Sequence, residues 1–221
     1  MGDHCRMTEV SSLTGRLLVA TPVLADPNFD RAVVLLLDHD REGSLGVVLN
    51  RPTPVDVVDI LEPWAALAGE PGVVFQGGPV SLDAALGVAV VPAPPGGGPA
   101  GATAAQGGRR SSAGGDGREE AEPDGPLGWR RVHGAIGLVD LEAPPELLAA
   151  ELGSLRIFAG YAGWGPGQLE KELAEGAWYV VESEPGDVSS PAPEQLWRSV
   201  LRRQRSELAM VATYPDDASL N

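Results

Sequence analysis

The chain of 221 residues is long enough for one hydrophobic core and short for two, and its 43% hydrophobic content is that of a globular protein. Sixteen basic against thirty-one acidic residues give a net charge of −15, which repels phosphate backbones and anionic lipid and so disfavours nucleic acid and membrane surfaces as partners. The single cysteine, Cys5, excludes an intramolecular disulfide and a thiolate metal cluster. The longest apolar runs, such as AVVLLL at 32–37, fall far short of the roughly 20 residues of a membrane helix, and the acids in MGDHCRMTEV do not suit a signal peptide, so a cytoplasmic protein is expected.

In chain order, a polar tail over 1–12 precedes a domain expected over 13–214. GRLLVATP (15–22) reads as a strand, and Asp26-Pro27-Asn28 as a turn. RAVVLLLDHD (31–40) is continuously apolar, as in a strand covered on both faces, and is expected to form a hairpin with LGVVLN (45–50). Proline at Asn50-Arg51-Pro52 should end that strand, and VDVVDILEPW (55–64) reads as a short helix capped by Thr53. VVFQGGPVS gives a brief strand broken by Gly77-Gly78-Pro79, followed by the strand LGVAVV (86–91).

From 92 to 128 the composition shifts to 11 glycines and 6 prolines in 37 residues, with Leu127 the one large aliphatic side chain. Such a segment buries too little to offset its ordering entropy, so it reads as a disordered insertion within one domain. Order resumes with strand character in WRRVHGAIGLVDLE (129–142), a helix over PPELLAAEL (144–152) and the strand SLRIFAG (154–160). GYAGWGPG is expected to form a glycine-rich turn into a helix closed by Gly176, with Leu169 and Leu173 on one face. The strand AWYVVES (177–183), a helix over about 194–206 and a fraying tail at 215–221 complete the chain. Strands interspersed with short helices predict a mixed α+β fold, a central and partly antiparallel sheet flanked by helices.

The turn at 160–167 fits no nucleotide motif. Pro166-Gly167 stand where a Walker loop needs Lys-Ser/Thr, proline removes an N–H donor, and Gln168 breaks the dinucleotide spacing, so a structural turn is favoured. Asp38-His39-Asp40 is a weak metal candidate because alternation sends the aspartates and the histidine to opposite faces. Ser44 and Ser81 lie outside a nucleophile elbow, and spacing assigns neither a His/Asp partner. Arg198, Arg202 and Arg205 share a helix face, read as solvated in so acidic a chain. No metal or cofactor is implied. What remains is a group at expected strand ends: Asp26, Asn50, Arg51, Gln76, Gly77, Gly78, Tyr161, Trp164 and Gln168 combine a cation, amides, aromatics and close backbone approach. They form either one cleft for an anionic ligand or partner, or a set of tight turns with Trp164 plugging the core.

GRLLVATPVLADPNFDRAVVLLLDHDREGSLGVVLNRPT, VFQGGPVS and FAGYAGWGPGQLEKELAEGAWYVV, in this order, resemble the YqgE/AlgH family of bacterial proteins. The resemblance spans most of 15–91 and 129–205 and implies a single α+β domain. Family members are labelled transcriptional regulators without an established catalytic activity or DNA-binding motif, which implies a binding or regulatory protein acting on an unknown protein or small anionic ligand. The alternative is a hydrolase of small phosphoesters or nucleotides, with Asp26 as base and Arg51 as anion clamp. Two features depart from the family pattern: the long 92–128 segment, and the lack of a histidine near LGVAVV.

Overall fold

The computed structural model describes residues 12–92, 125–205 and 207–215. Its strands are β1 Arg16–Ala20, β2 Val33–Asp40, β3 Gly43–Val48, β4 Pro52–Asp56, β5 Val73–Gln76, β6 Val80–Val90, β7 Trp129–His133, β8 Ile136–Val139, β9 Ser154–Trp164 and β10 Trp178–Glu182. The helices are short: α1 Val57–Ile60, α2 Glu62–Ala65, α3 Gln168–Ala174, α4 Pro185–Val188, α5 Leu196–Arg202 and α6 Leu208–Val211. One sheet runs in the order β10-β1-β2-β3-β9-β6-β8-β7, with β5 also on β9 and β4 on β5. The named strand pairs are antiparallel except β5 with β9. The sheet curls until the end of β7 meets the chain entering β1, where a Cβ on Gly15 would lie 2.2 Å from the His133 Cβ. Together these elements form a single α+β domain in which the antiparallel sheet predominates.

The continuous apolar runs of β1 and β2 follow from burial on both faces. Leu17 and Val19 enter one core cluster with Val33, Leu35 and Leu37, while Leu18 and Ala20 enter a second with Val34 and Leu36. Helix α5 adds Leu196, Trp197, Val200 and Leu201 to the first cluster, and α3 adds Leu169 to the second. A third cluster gathers Val57, Trp64, Trp129, Leu148, Leu155 and Ile157. Buried Asp187, which joins the Glu184 capping box of α4, accepts from both terminal guanidinium nitrogens of Arg203, and this pairing holds the Arg203 pKa above its usual value.

Several expected elements differ. The helix expected over 55–64 starts only at Val57 and is divided into α1 and α2, because Val55 and Asp56 finish β4, an edge strand paired with β5 along the named strands that tolerates Pro52 and Pro54. Thr53 therefore caps nothing; its hydroxyl donates to the Val74 carbonyl at 2.7 Å. The helix expected over 144–152 shrinks to a 3₁₀ turn at Pro145–Leu147, since Leu148 reaches the third cluster within one turn. The chain from Tyr161 to Trp164 continues β9, and the turn begins only at Gly165. Residues 93–124 of the expected insertion and the tails 1–11 and 216–221 lie outside the described residues; Gly125 packs against the Trp129 ring.

Strand β9 organises the sheet. Ala159 pairs with Gln76 on one edge and with Ala85 on the other, so β5 and β6 lie on opposite sides of β9. Only Gly77, Gly78 and Pro79 separate Gln76 from Val80, which pairs with Tyr161. The two edges are about 10 Å apart, two strand spacings, and four residues reach about 14 Å at most. The chain must therefore pass directly over the β9 backbone. A Cβ on Gly78 would lie 2.2 Å from the Tyr161 carbonyl, and one on Gly77 2.3 Å from the Gly160 oxygen. Gly160 itself, at φ +69, sits beneath the Val80 and Gly78 carbonyls.

Gly78→Ala should cost about 3 kcal/mol or more, because its Cβ meets backbone that has nowhere to move. Gly72→Ala, which meets nothing within 4 Å, should stay within about 0.5 kcal/mol of the parent. Urea denaturation of the two variants checks the contrast.

Candidate functional site

The crossing at Gly78-Pro79 forms one wall of a hollow of about 70 Å³, lined also by Pro27, Asn28, Val48, Arg51 and Gln76. Three separate segments meet there: the loop between β1 and β2, the corner after β3, and the end of β5 with its crossing. Arg51 is the one charged side chain in the lining.

Asn50 and Arg51 hold the first wall in place. The Asn50 side chain is buried, accepting from the Val33 N–H at 2.9 Å and donating to the Arg31 carbonyl at 2.9 Å. The Arg51 Nη2 donates to the Asp30 carbonyl. Asp26 is exposed and accepts the Asn28 N–H at 2.8 Å, closing the Asx turn that presents Pro27 and Asn28 to the hollow. Among the described residues Arg31 (φ 50) and Ser81 (φ 50) are the positive-φ residues other than glycine; Arg31 lies in the loop that carries Pro27 and Asn28, and Ser81 is the second residue of β6, two positions after Pro79. Each such conformation costs about 1–3 kcal/mol and persists only where surrounding bonds impose it. Asn50 does so for Arg31.

The other expected residues lie elsewhere. Gly77 is spent on packing, its N–H donating to Ala159 and its carbonyl accepting from Val48, both at 2.8 Å. Tyr161 is half-buried against the first core cluster. Trp164 is 5% exposed, opposite Ser44 at the far end of β3 from Arg51. It packs with Phe29 at 6.2 Å and Trp178 at 6.1 Å between ring centroids. The Glu172 carboxylate accepts from both indoles, Trp164 Nε1 at 3.0 Å and Trp178 Nε1 at 2.8 Å, and from Gln168 Nε2 at 3.0 Å. Gln168 Oε1 in turn accepts the Gly165 N–H at 3.1 Å. So the GWGPGQLEKEL stretch ends β9 in the second core cluster and satisfies every indole it buries there. The structure thus brings Arg51, Gln76 and Gly78 together and places Trp164 and Gln168 in a separate cluster.

Spacing alone missed three arrangements. Asn28 joins the hollow, and the Asp26-Pro27-Asn28 turn was its visible signal. His39 lies directly across the β2–β3 hairpin from Ser44, with Nδ1 2.8 Å from the Ser44 Oγ and Nε2 3.7 Å from Glu170. The hairpin register was the signal for that pair. Arg156 is 2% exposed, donates through Nη2 to Glu70 and Ser190 carbonyls and lies 4.2 Å over the Phe75 ring. Burial lowers its pKa to about 10, and its Nε and Nη1 are without hydrogen-bond partners. A second depression, of about 290 Å³, is lined by Asp38, Asp40, Glu42, Gly43, Ser44, Leu45 and Trp164. Among the described residues no cluster of three or more metal-ligating side chains occurs, and no helix is long and apolar enough to cross a membrane.

Residues 17–209 match the family model described as AlgH-like. The chain is 80% identical to a UPF0301 protein of Streptomyces avermitilis over 97% of its own length and 98% of that protein's. It is 43% identical to a UPF0301 protein of Thermobifida fusca, covering 95% and 96% of the two chains. Among solved structures, a Corynebacterium diphtheriae protein superposes with a TM-score of 0.73 at 28% identity over 91% of this chain and 92% of that one. The solution structure of AlgH from Pseudomonas aeruginosa gives 0.57 at 22% identity, covering 96% and 100%, a likeness of fold.

Glu172→Ala strands two buried indole N–H groups and should cost about 2–4 kcal/mol, read by thermal melting together with a change in tryptophan emission. Asn50→Ala should cost about 2–3 kcal/mol and raise amide exchange at Val33, as hydrogen exchange followed by mass spectrometry would register.

Proposed function

The chain belongs to the AlgH-like family, and on that footing we propose that it is a non-enzymatic binding protein with an indirect regulatory role in the bacterial cytoplasm, holding its ligand or partner at the Arg51 hollow. The observation that carries this reading is a guanidinium fixed by the Asp30 carbonyl as the one charge in the lining of a polar concavity, with the strained residues Arg31 and Ser81 close in sequence to two of its walls. Strain of this kind gathers where geometry is held for recognition, and a donor fixed beforehand loses less entropy on binding.

Direct DNA binding receives less support. Of the three arginines that would form a basic face, Arg198 donates to the Ala212 and Tyr214 carbonyls and lies over Trp197, tying the C-terminal segment to α5. A hydrolase built on Asp26 is likewise disfavoured, because that carboxylate closes the turn at Asn28.

The full-length protein and its Arg51→Ala variant, screened by native mass spectrometry against a panel of small anionic metabolites, test the reading. A compound retained by the parent should be lost or weakened about tenfold in the variant, with the melting temperature shifted by only about 2–4 °C. Equal retention by both proteins, or collapse of the variant's stability, would remove the hollow from the function.

A further inference from the structure

The geometry points to one tetrahedral oxyanion, of the phosphate type, as the group that the Arg51 hollow receives. This assignment rests on the binding role given to the hollow above and makes its ligand chemistry specific.

Size sets the first limit. At about 70 Å³ the hollow is far smaller than the roughly 300–1,000 Å³ of a pocket that encloses a whole metabolite. It therefore takes a single functional group, with any remaining part of the ligand outside.

Charge sets the second. Among the lining residues Arg51 is cationic and Asn28 and Gln76 carry neutral amides, while no carboxylate lines the cavity. That is the reverse of the depression lined by Asp38, Asp40 and Glu42. On a chain of net charge −15, distant charge opposes an anion, so attraction must come from groups in direct contact, whose interaction is little screened over such short distances.

The placement of the three polar residues on separate walls distinguishes phosphate from carboxylate. Arg51 comes from the corner after β3, Gln76 from the end of β5 and Asn28 from the loop before β2. A planar carboxylate is satisfied by one guanidinium fork, leaving the other two walls without a role. A tetrahedral oxyanion presents oxygens to all three at once. Beyond Pro79 the chain exposes Val80 and Leu82, at 38% and 55%, an apolar strip on which the organic part of a phosphomonoester can lie.

Heteronuclear NMR of the full-length chain, titrated at constant ionic strength with inorganic phosphate, phenyl phosphate and acetate, tests the assignment. Phosphate and phenyl phosphate should give saturable shifts at the Gly78 amide and the Asn28 and Gln76 side-chain amides, at concentrations about tenfold lower than any acetate effect. Arg51→Met should abolish the shifts while leaving the spectrum otherwise native, and Arg51→Lys should restore them in part, since lysine supplies charge without the fork. Tighter binding of phenyl phosphate names an ester as the source, and equal binding names the free ion; either supports the assignment. Acetate binding as well as phosphate at these same amides overturns the oxyanion class and leaves the hollow as a binding site. Unmoved hollow resonances with all three probes, or shifts that survive Arg51→Met, overturn both.

Discussion

The passage of the chain across β9 at Gly78 is the constraint on which the rest of the molecule depends. Because β5 and β6 occupy opposite edges of the same strand with three residues between them, no route exists except over the backbone of Gly160 and Tyr161. A Cβ there would lie 2.2 Å from peptide atoms, and main chain packed on main chain cannot yield as the end of a long side chain can. The crossing lets β9 accept β3 and β5 on one side while β6 takes the other. It also leaves Pro79 standing as a lip at the end of β3. The hollow is thus a by-product of sheet topology, created before any ligand is considered.

What turns that by-product into a shaped site is the neighbouring Asn50-Arg51 pair. Asn50 spends its amide on the backbone of Arg31 and Val33, so the loop before β2 is fastened to the end of β3 by a buried side chain instead of by a ladder. Arg51 spends one nitrogen on Asp30 and lines the cavity as its one charged residue. The two residues divide the work: one fixes the wall, the other supplies the charge. The left-handed conformation at Arg31 follows from this fastening, because a loop pinned at both Asp30 and Arg31 has no freedom to relax.

The sequence made much of this legible, and the physical reason differs from place to place. Continuous apolar runs such as Val33 to Leu37 announced burial on both faces, and the structure divides their side chains between two clusters. The hairpin of β2 and β3 was equally visible. The segment from Gly160 to Trp164 was not, because glycines that permit close approach and glycines that permit a turn look alike in one dimension. Only the pairing of Tyr161 with Val80, eighty-one positions away, distinguishes them. The same limit hid the role of Trp164: its acceptor Glu172 and its neighbour Trp178 are near in sequence, but Phe29, which packs on both indoles, comes from the loop before β2. Residues grouped by lying at strand ends were therefore sorted by space into two clusters, one around Arg51 and one around Glu172.

The acidity of the chain bears on both clusters in opposite ways. Glu172 is an acid used inward, where its charge strengthens two indole bonds. Asp26 and Asp40 are acids used at turns, accepting the N–H of Asn28 and of Glu42 and Gly43. These carboxylates do not themselves line the cavity, although Asp26 accepts the N–H of the lining residue Asn28, so a chain of net charge −15 retains a concavity whose one lining charge is positive. Selectivity follows from that contrast. A large polyanion meets the whole surface and is repelled, whereas a small anion that fits about 70 Å³ meets the guanidinium directly, with Asp26 the near carboxylate opposing it and those beyond about 8 Å screened at physiological salt.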